Sequence, residues 1–302
     1  MYKDLLTLRD INSSELKELF ELTKFLKEGR GKVEGNILNG KSIGLLFAKS
    51  STRTRVSFEV GVHELGGYPL YLDSTKMQLG RGETVADTAN VLSRYIHGLV
   101  IRTYSQADVE ELARVANFPV INALTDDYHP CQILADMYTV IEHSGSTQVK
   151  MVFIGDGASN IANSLMLGAK LSGMKLVVCS PREYAPSAEI LAECAPFAEW
   201  CEDPAEAMKD ADYVYTDVWV SMGFEEERAK RMATLAPYQV NKALMAKAAK
   251  NVKFLHCLPA HRGEEVAADV MDSDMSIVFD EAENRLHVQK AVMTMIYKNL
   301  NK

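Results

Sequence analysis

Apolar positions along the chain switch between two spacings, and the switching repeats. Leu16, Leu19, Phe20, Thr23 and Leu26 recur every three or four residues behind Asn12-Ser13-Ser14-Glu15, a capping signature, so a helix is predicted there. Residues 42–47 are a short apolar run, the pattern of a buried strand. Residues 56–65 return to helical spacing and stop at Gly66-Gly67. Thr84-Val85-Ala86-Asp87 is a second capping signature. Val85, Ala89, Leu92 and Ile96 share one face of the helix it opens, and 98–103 is strand again. From Pro130 to about His143, Ile133, Leu134, Met137, Tyr138 and Ile141 mark an amphipathic helix. Proline suits its first turn, where the missing N–H is not needed.

Ser144-Gly145-Ser146-Thr147 reads as a linker, and a second series follows it. Strands are predicted at 149–154, 176–179, 213–216 and 254–256, with a helix running to about Gly173 after the first. Val288, Ala291, Val292, Met295 and Ile296 mark a closing helix. The expected fold class is α/β, in two domains, each a parallel sheet flanked by helices, joined by bridging helices. The expected domains are 1–143, joined by the C-terminal helix 286–302, and 144–285. A chain of 302 residues exceeds what one core usually supports. In such sheets ligands gather at the carboxyl ends of the strands.

Composition narrows the classes. An apolar content of 47% with 25% charged residues excludes a disordered chain. Apolar runs such as 151–154 are too short to cross a bilayer, and the first residues lack the basic-then-apolar order of a signal peptide. A cytoplasmic location is expected. Cys131, Cys179, Cys194, Cys201 and Cys257 are odd in number and scattered, which fits neither a disulfide framework nor a C-x-x-C zinc site. A net charge of −8 argues against nucleic acid or an anionic membrane as partner. It leaves room for a small anion gripped by a few arginines.

Such a grip is offered by Ser50-Ser51-Thr52-Arg53-Thr54-Arg55, directly after the strand at 42–47 and at a helix start. Free backbone N–H groups and the helix dipole favour an anion there. The Ser51, Thr52 and Thr54 hydroxyls add donors, and the Arg53 guanidinium can hold phosphate in bidentate fashion. By itself the segment also fits a polar cap beside a surface arginine.

The order of segments resolves that choice. Ser51-Thr52-Arg53-Thr54-Arg55 resembles the carbamoyl-phosphate loop of the aspartate and ornithine carbamoyltransferases. Met77-Gln78-Leu79-Gly80-Arg81-Gly82-Glu83, Arg102, His129-Pro130-Cys131-Gln132, Asp217-Val218-Trp219-Val220-Ser221-Met222-Gly223, His256-Cys257-Leu258-Pro259 and Glu283-Asn284-Arg285-Leu286-His287 then follow in that family's order. The resemblance covers essentially the whole chain. It implies carbamoyl-phosphate contacts from Ser51, Thr52, Arg53, Thr54, Gln78, Arg102, His129, Pro130, Cys131, Gln132, Cys257, Leu258 and Arg285. Gln78 would come from a neighbouring subunit of a homotrimer, with further assembly left open. Asn160, Asp217, Ser221 and Met222 would hold L-ornithine.

The chemistry of these residues agrees. His129, at a helix start, can donate to the carbamoyl oxygen as negative charge develops there, and Arg102 adds a second cation. Gln132 can accept from the carbamoyl NH2, and Asp217 suits an ammonium. The family gives the cysteine at position 257 the role of proton acceptor. A thiol near 8.5 is a weak base toward an amine near 10.4, so Cys257 could equally position an amine already neutral. The Leu258-Pro259 bond is expected to be cis. No metal and no organic cofactor are expected, because phosphate leaves as a stabilised dianion.

The aspartate branch fits less well. It typically carries a lysine within the stretch corresponding to 78–83 and has His-Pro-x-Pro where this chain has His256-Cys257-Leu258-Pro259. Putrescine or an acetylated ornithine leaves Asp217 and Ser221-Met222-Gly223 without their purpose. Gly155-Asp156-Gly157 after a strand suggests a dinucleotide fingerprint, but Asn160 stands at the third glycine position and Cys179-Ser180-Pro181 supplies no ribose-binding acid. A ligand-binding relative without catalysis is disfavoured, since each motif position carries a competent residue. Making and breaking down arginine would use the same site, and the sequence does not choose between them.

Overall fold

Strands and helices alternate along the whole chain of a computed structural model that describes residues 3–32, 36–77, 82–220 and 225–300. The chain divides into two compact units, Met1–Ala135 with Glu283–Lys302, and Asp136–Ala282. The divisions fall inside two helices, Pro130–Ser144 and Val278–Leu300.

The first unit carries β1 (Ser42–Phe47), β2 (Tyr68–Asp73), β3 (Gly98–Arg102) and β4 (Val120–Leu124), all parallel, in the order β2-β1-β3-β4. Its helices are α1 (Ser13–Glu28), α2 (Thr52–Glu64), α3 (Val85–Leu92), α4 (Gln106–Val115) and the start of α5 (Pro130–Ser144). In α1 the Asn12 side chain accepts from the Ser14 and Glu15 amides while Glu15 reaches back to the cap, the reciprocal pair the sequence announced. Leu46, Leu99, Ile101 and Val120 pack against Ala89, Leu92, Val109 and Leu112.

The second unit holds β5 (Lys150–Ile154), α6 (Asn160–Ser172), β6 (Lys175–Cys179), α7 (Ala188–Cys194), β7 (Ala198–Cys201) and α8 (Pro204–Ala207). It continues with β8 (Tyr213–Thr216), α9 (Arg228–Leu235), α10 (Lys242–Met245), β9 (Lys253–Leu255) and α11 (Ala268–Met271), and ends in α12 (Val278–Leu300), which re-enters the first unit at Glu283. The order β7-β6-β5-β8-β9 is parallel throughout. Val152, Ile154, Val177, Val214 and Phe254 form its core with Met208, Val240 and Val270. The fold class is therefore the expected one: two parallel α/β sheets.

Two local expectations change, and one strand has no counterpart among them. Helix α2 begins at Thr52, inside the segment 50–55, because the Ser51 Oγ accepts from the Thr54 amide at 3.2 Å and caps the first turn. Helix α5 is not amphipathic: Cys131 through Val140 are buried around the whole circumference, with Gln132, Asp136 and Thr139 among them. Strand β2 is an edge strand bearing Pro69 and exposed Tyr68 and Tyr71, a composition that hides it from an apolar-run reading. Among the described residues, no helix is long and apolar enough to cross a membrane.

Candidate active site

In an open parallel sheet, adjacent strands whose following connections run in opposite directions leave a crevice at their carboxyl ends. Each unit has one such place. In the first it lies between β1 and β3, where Phe47 and Arg102 stand in register. In the second it lies between β5 and β8, where Ile154 stands level with Thr216. The sequence puts its chemically distinctive residues just beyond these strand ends.

In the first unit, α2 starts five residues after β1, so Ser51, Thr52 and Arg53 occupy a helix N-terminus, with Thr54 inside the first turn. The Ala48 amide donates to the Arg102 carbonyl at 2.8 Å and ties the loop to the end of β3. His129 immediately precedes α5, and its carbonyl accepts from the Gln132 amide at 3.1 Å. Arg285 arrives from α12, more than 150 residues away in sequence. Its Nη1 donates to Gln132 Oε1 at 2.7 Å and its Nη2 to Thr54 Oγ1 at 2.9 Å. One buried guanidinium thus connects α2 and α5.

The electrostatics of this place have one sign. His129 is 4% exposed, and its pKa falls well below the usual imidazole value, first through burial, then through Arg285, Arg102 and Arg53. All three expected arginines therefore bear on one imidazole, which stays neutral and keeps a single ring N–H to donate. Such a concentration of guanidinium charge in a chain of net charge −8 suits a small anion. Pro130 supplies the first residue of α5. Cys131 turns its Sγ into the interior, 3.5 Å from the Asn122 carbonyl, so only its backbone remains for a ligand.

Lys49 was not singled out by the sequence. It is buried two residues before Ser51, forms an ion pair with Asp126 and lies over the Tyr104 ring at 4.3 Å. A lone lysine after a strand has no spacing to betray it. Arg55 points elsewhere, pairing with Glu59 at 2.9 Å and stacking on Tyr71 at 3.8 Å.

In the second unit the sign is reversed. Gly155 leaves β5 at φ 144°, a conformation L side chains rarely adopt, and Asn160 opens α6 behind the Ser159 cap. The Thr216 hydroxyl donates to the Ile154 carbonyl at 2.6 Å and joins β8 to β5. Asp217 follows, with Oδ1 accepting from the Val218 amide at 2.8 Å and from the Cys257 thiol at 3.1 Å. Burial pushes the Asp217 carboxyl up, against the pull of His256, Cys257 and the Val218 amide. The Cys257 thiol lies well above its ordinary value, through burial first and then Asp217 and Glu281.

Cys257 is held by its neighbours on both sides. The His256 ring accepts from the Leu258 amide at Nδ1, 2.9 Å away, and donates from Nε2 to Glu265 Oε1 at 3.0 Å. Glu265 is fully buried, and its carboxyl lies below its ordinary value although burial, its largest influence, pushes up; the His256 and His261 hydrogen bonds outweigh it. The Leu258-Pro259 bond is cis, as expected. Asp217, His256 and Cys257 bring three ligand-type atoms within 4.8 Å of one another, but those atoms are already engaged in the bonds just described. Gln78, Ser221 and Met222 lie outside the described residues.

Comparison with known proteins accords with this geometry. Residues 3–142 match the carbamoyl-P binding domain of aspartate/ornithine carbamoyltransferase, and residues 147–296 match the Asp/Orn binding domain. An ornithine carbamoyltransferase of Oceanobacillus iheyensis is 52% identical over 97% of this chain and 94% of its own length. A solved ornithine carbamoyltransferase from Pyrococcus furiosus is 48% identical, with a TM-score of 0.91 over 96% of both chains. An anabolic ornithine carbamoyltransferase structure from Campylobacter jejuni is 36% identical, also with a TM-score of 0.91, covering 98% of this chain and 99% of its own.

Proposed function

The chain belongs to the aspartate/ornithine carbamoyltransferase family and is a carbamoyl-transferring enzyme; from that premise we propose that it moves the carbamoyl group of carbamoyl phosphate to the side-chain amine of L-ornithine, giving L-citrulline and phosphate. The observation that carries the donor half is the bearing of Arg53, Arg102 and Arg285 on neutral His129 at the end of β1 and β3. Ser51, Thr52, Arg53 and Thr54 take the phosphate at the N-terminus of α2. Arg102 and His129 donate to the carbamoyl oxygen, and Gln132, oriented by Arg285, accepts from its NH2. Main-chain groups of Pro130, Cys131 and Leu258 complete the shell, with Gln78 supplied by a neighbouring subunit of a homotrimer.

On the acceptor side, Asn160, Asp217, Ser221 and Met222 take the amino-acid group of ornithine. Cys257 acts by position. A thiol raised well above its ordinary value and already donating to Asp217 is a poor proton acceptor, so the amine enters neutral. Nitrogen attacks the carbamoyl carbon, the C–N bond forms, the C–O bond to phosphate breaks, and one amine proton is released. The neutral fraction of an amine near pKa 10.4 grows about tenfold per pH unit below that value, so the rate rises toward alkaline pH.

The acceptor is tested by measuring carbamoyl transfer from carbamoyl phosphate to ornithine, putrescine, acetylornithine and aspartate. Ornithine is expected to exceed each of the others by at least about tenfold in kcat/KM, the loss from leaving one charged group of the site unmatched. Transfer to aspartate or putrescine at comparable efficiency overturns the assignment. Light scattering at three times the monomer mass supports the trimer, and a monomer that is fully active removes it.

A further inference from the structure

His256 follows β9 directly and precedes Cys257, and the scheme above gives it no part. It is fully buried, which leaves its ring no face toward a ligand. Both ring nitrogens are nevertheless engaged. Nδ1 accepts from the amide of Leu258, two residues on, at 2.9 Å, and Nε2 donates to Glu265 Oε1 at 3.0 Å. The His256 main-chain amide donates to Glu281 Oε2 at 2.9 Å. Glu265, also fully buried, is itself fixed in place. Its carbonyl accepts from the Val240 amide at 2.9 Å, and its Oε1 accepts a second bond, from the His261 amide, at 2.6 Å. All of these groups belong to the second unit.

A buried carboxylate facing a buried imidazole adds little to stability, because apolar side chains of similar volume often do as well or better. What this pair supplies is direction. With an acceptor at Nε2, the ring keeps a proton there and Nδ1 stays an acceptor for Leu258. The other tautomer sets two donors, the Nδ1–H and the Leu258 amide, against each other. Cys257 lies between the two residues so joined, and its Sγ donates to Asp217 Oδ1 at 3.1 Å. We propose that Glu265 is a positioning residue for the acceptor half of the site: by holding the His256 ring as a donor at Nε2 it fixes the Cys257-Leu258 backbone and, through the Cys257 thiol, the Asp217 carboxylate. The consequence for turnover rests on the carbamoyl-transfer reading, while the hydrogen bonds do not. Glu265 touches no substrate and acts only through His256.

The test follows the wild type, E265Q and E265L by steady-state kinetics with ornithine and by the nitrogen-15 resonances of the His256 ring, assigned by their loss in H256N. Glutamine keeps an acceptor for Nε2 without the charge, and leucine fills the space and offers none. At pH 8 the wild type and E265Q are expected to show Nδ1 unprotonated and Nε2 protonated, and E265L to share the proton between the two nitrogens. In E265L kcat/KM for ornithine is expected to fall at least about tenfold, the lower end for one charge-assisted hydrogen bond. In E265Q it is expected to stay within about threefold of wild type. The Kd for carbamoyl phosphate is expected to move less than about threefold in both. If E265L does not fold, H256N takes its place. Asparagine can still accept from the amide two residues on but does not reach Glu265, and the same tenfold loss is expected. A ring signature unchanged in E265L, a kcat/KM there within twofold of wild type, or equal losses in E265Q and E265L overturns the inference. A wild type that transfers no carbamoyl group to ornithine sinks the functional reading, while the ring resonances still decide whether Glu265 directs His256.

Discussion

The two units place their chemistry alike and charge it oppositely. Both use a parallel sheet with a reversal between two neighbouring strands, and both collect functional side chains beyond the carboxyl ends there. In the first unit the charges of Arg285, Arg102 and Arg53 add to burial in pushing an imidazole toward neutrality. In the second, the charges of Asp217, Glu281 and Asp136 add to burial in keeping a thiol protonated. Burial is the largest influence in both. One topology can thus hold a phosphorylated anion or an ammonium, and the choice rests on a few side chains in loops.

Substitutions that break this opposition should act on one unit and spare the other. The largest effect is expected for Arg285→Ala. It removes a buried cation and leaves Gln132 Oε1 and Thr54 Oγ1 without their donor, at about 1–3 kcal/mol for each orphaned acceptor. Calorimetric unfolding should show a fall of roughly 4–12 °C in melting temperature, together with loss of carbamoyl-phosphate binding. A melting temperature within a degree of wild type would show that Arg285 is not the tie described.

Next is Asp217→Asn. It should raise the KM for ornithine about ten- to a hundredfold, the value of one charge-assisted contact of about 1.5–3 kcal/mol. The same variant lowers the Cys257 thiol, because Asp217 is the leading charge that raises it. Alkylation of Cys257 by iodoacetamide at pH 8 should therefore run several-fold faster in Asp217→Asn than in the wild type. Equal rates would mean that Asp217 does not govern the thiol. The smallest effect is expected at His129. Its imidazole resonances should titrate at higher pH in Arg53→Ala, since Arg53 is the weakest of the three arginine influences, and an unmoved titration would remove Arg53 from the cluster.

What the sequence showed, and what it hid, follows the same physics. The strands Ser42–Phe47 and Tyr213–Thr216 were legible to the residue, because buried parallel strands are uninterrupted apolar runs. The segment 50–55 stood out because hydroxyls and arginine at a strand-to-helix turn are a chemical pattern. Arg102, His129 and Asp217 needed the resemblance to give them roles, since a single polar residue after a strand has many local explanations. Lys49, Asp136 and Glu281 stayed hidden. A charged residue on a helix reads as a solvated face, and only packing around α5 and α12 reveals that these carboxyls are buried. Glu265 was hidden likewise, in an irregular segment without periodicity.

Titration of carbamoyl phosphate into the wild type, Arg53→Ala and Asp217→Asn, with heat as the readout, tests the opposition of the two units most directly. Arg53→Ala should weaken binding at least about a hundredfold, two charge-assisted contacts at the lower end of their range, while melting within a few degrees of wild type. Asp217→Asn should bind within about twofold of wild type, because its charge serves the other ligand. Near-normal affinity in Arg53→Ala, or equal losses in the two variants, would contradict the account.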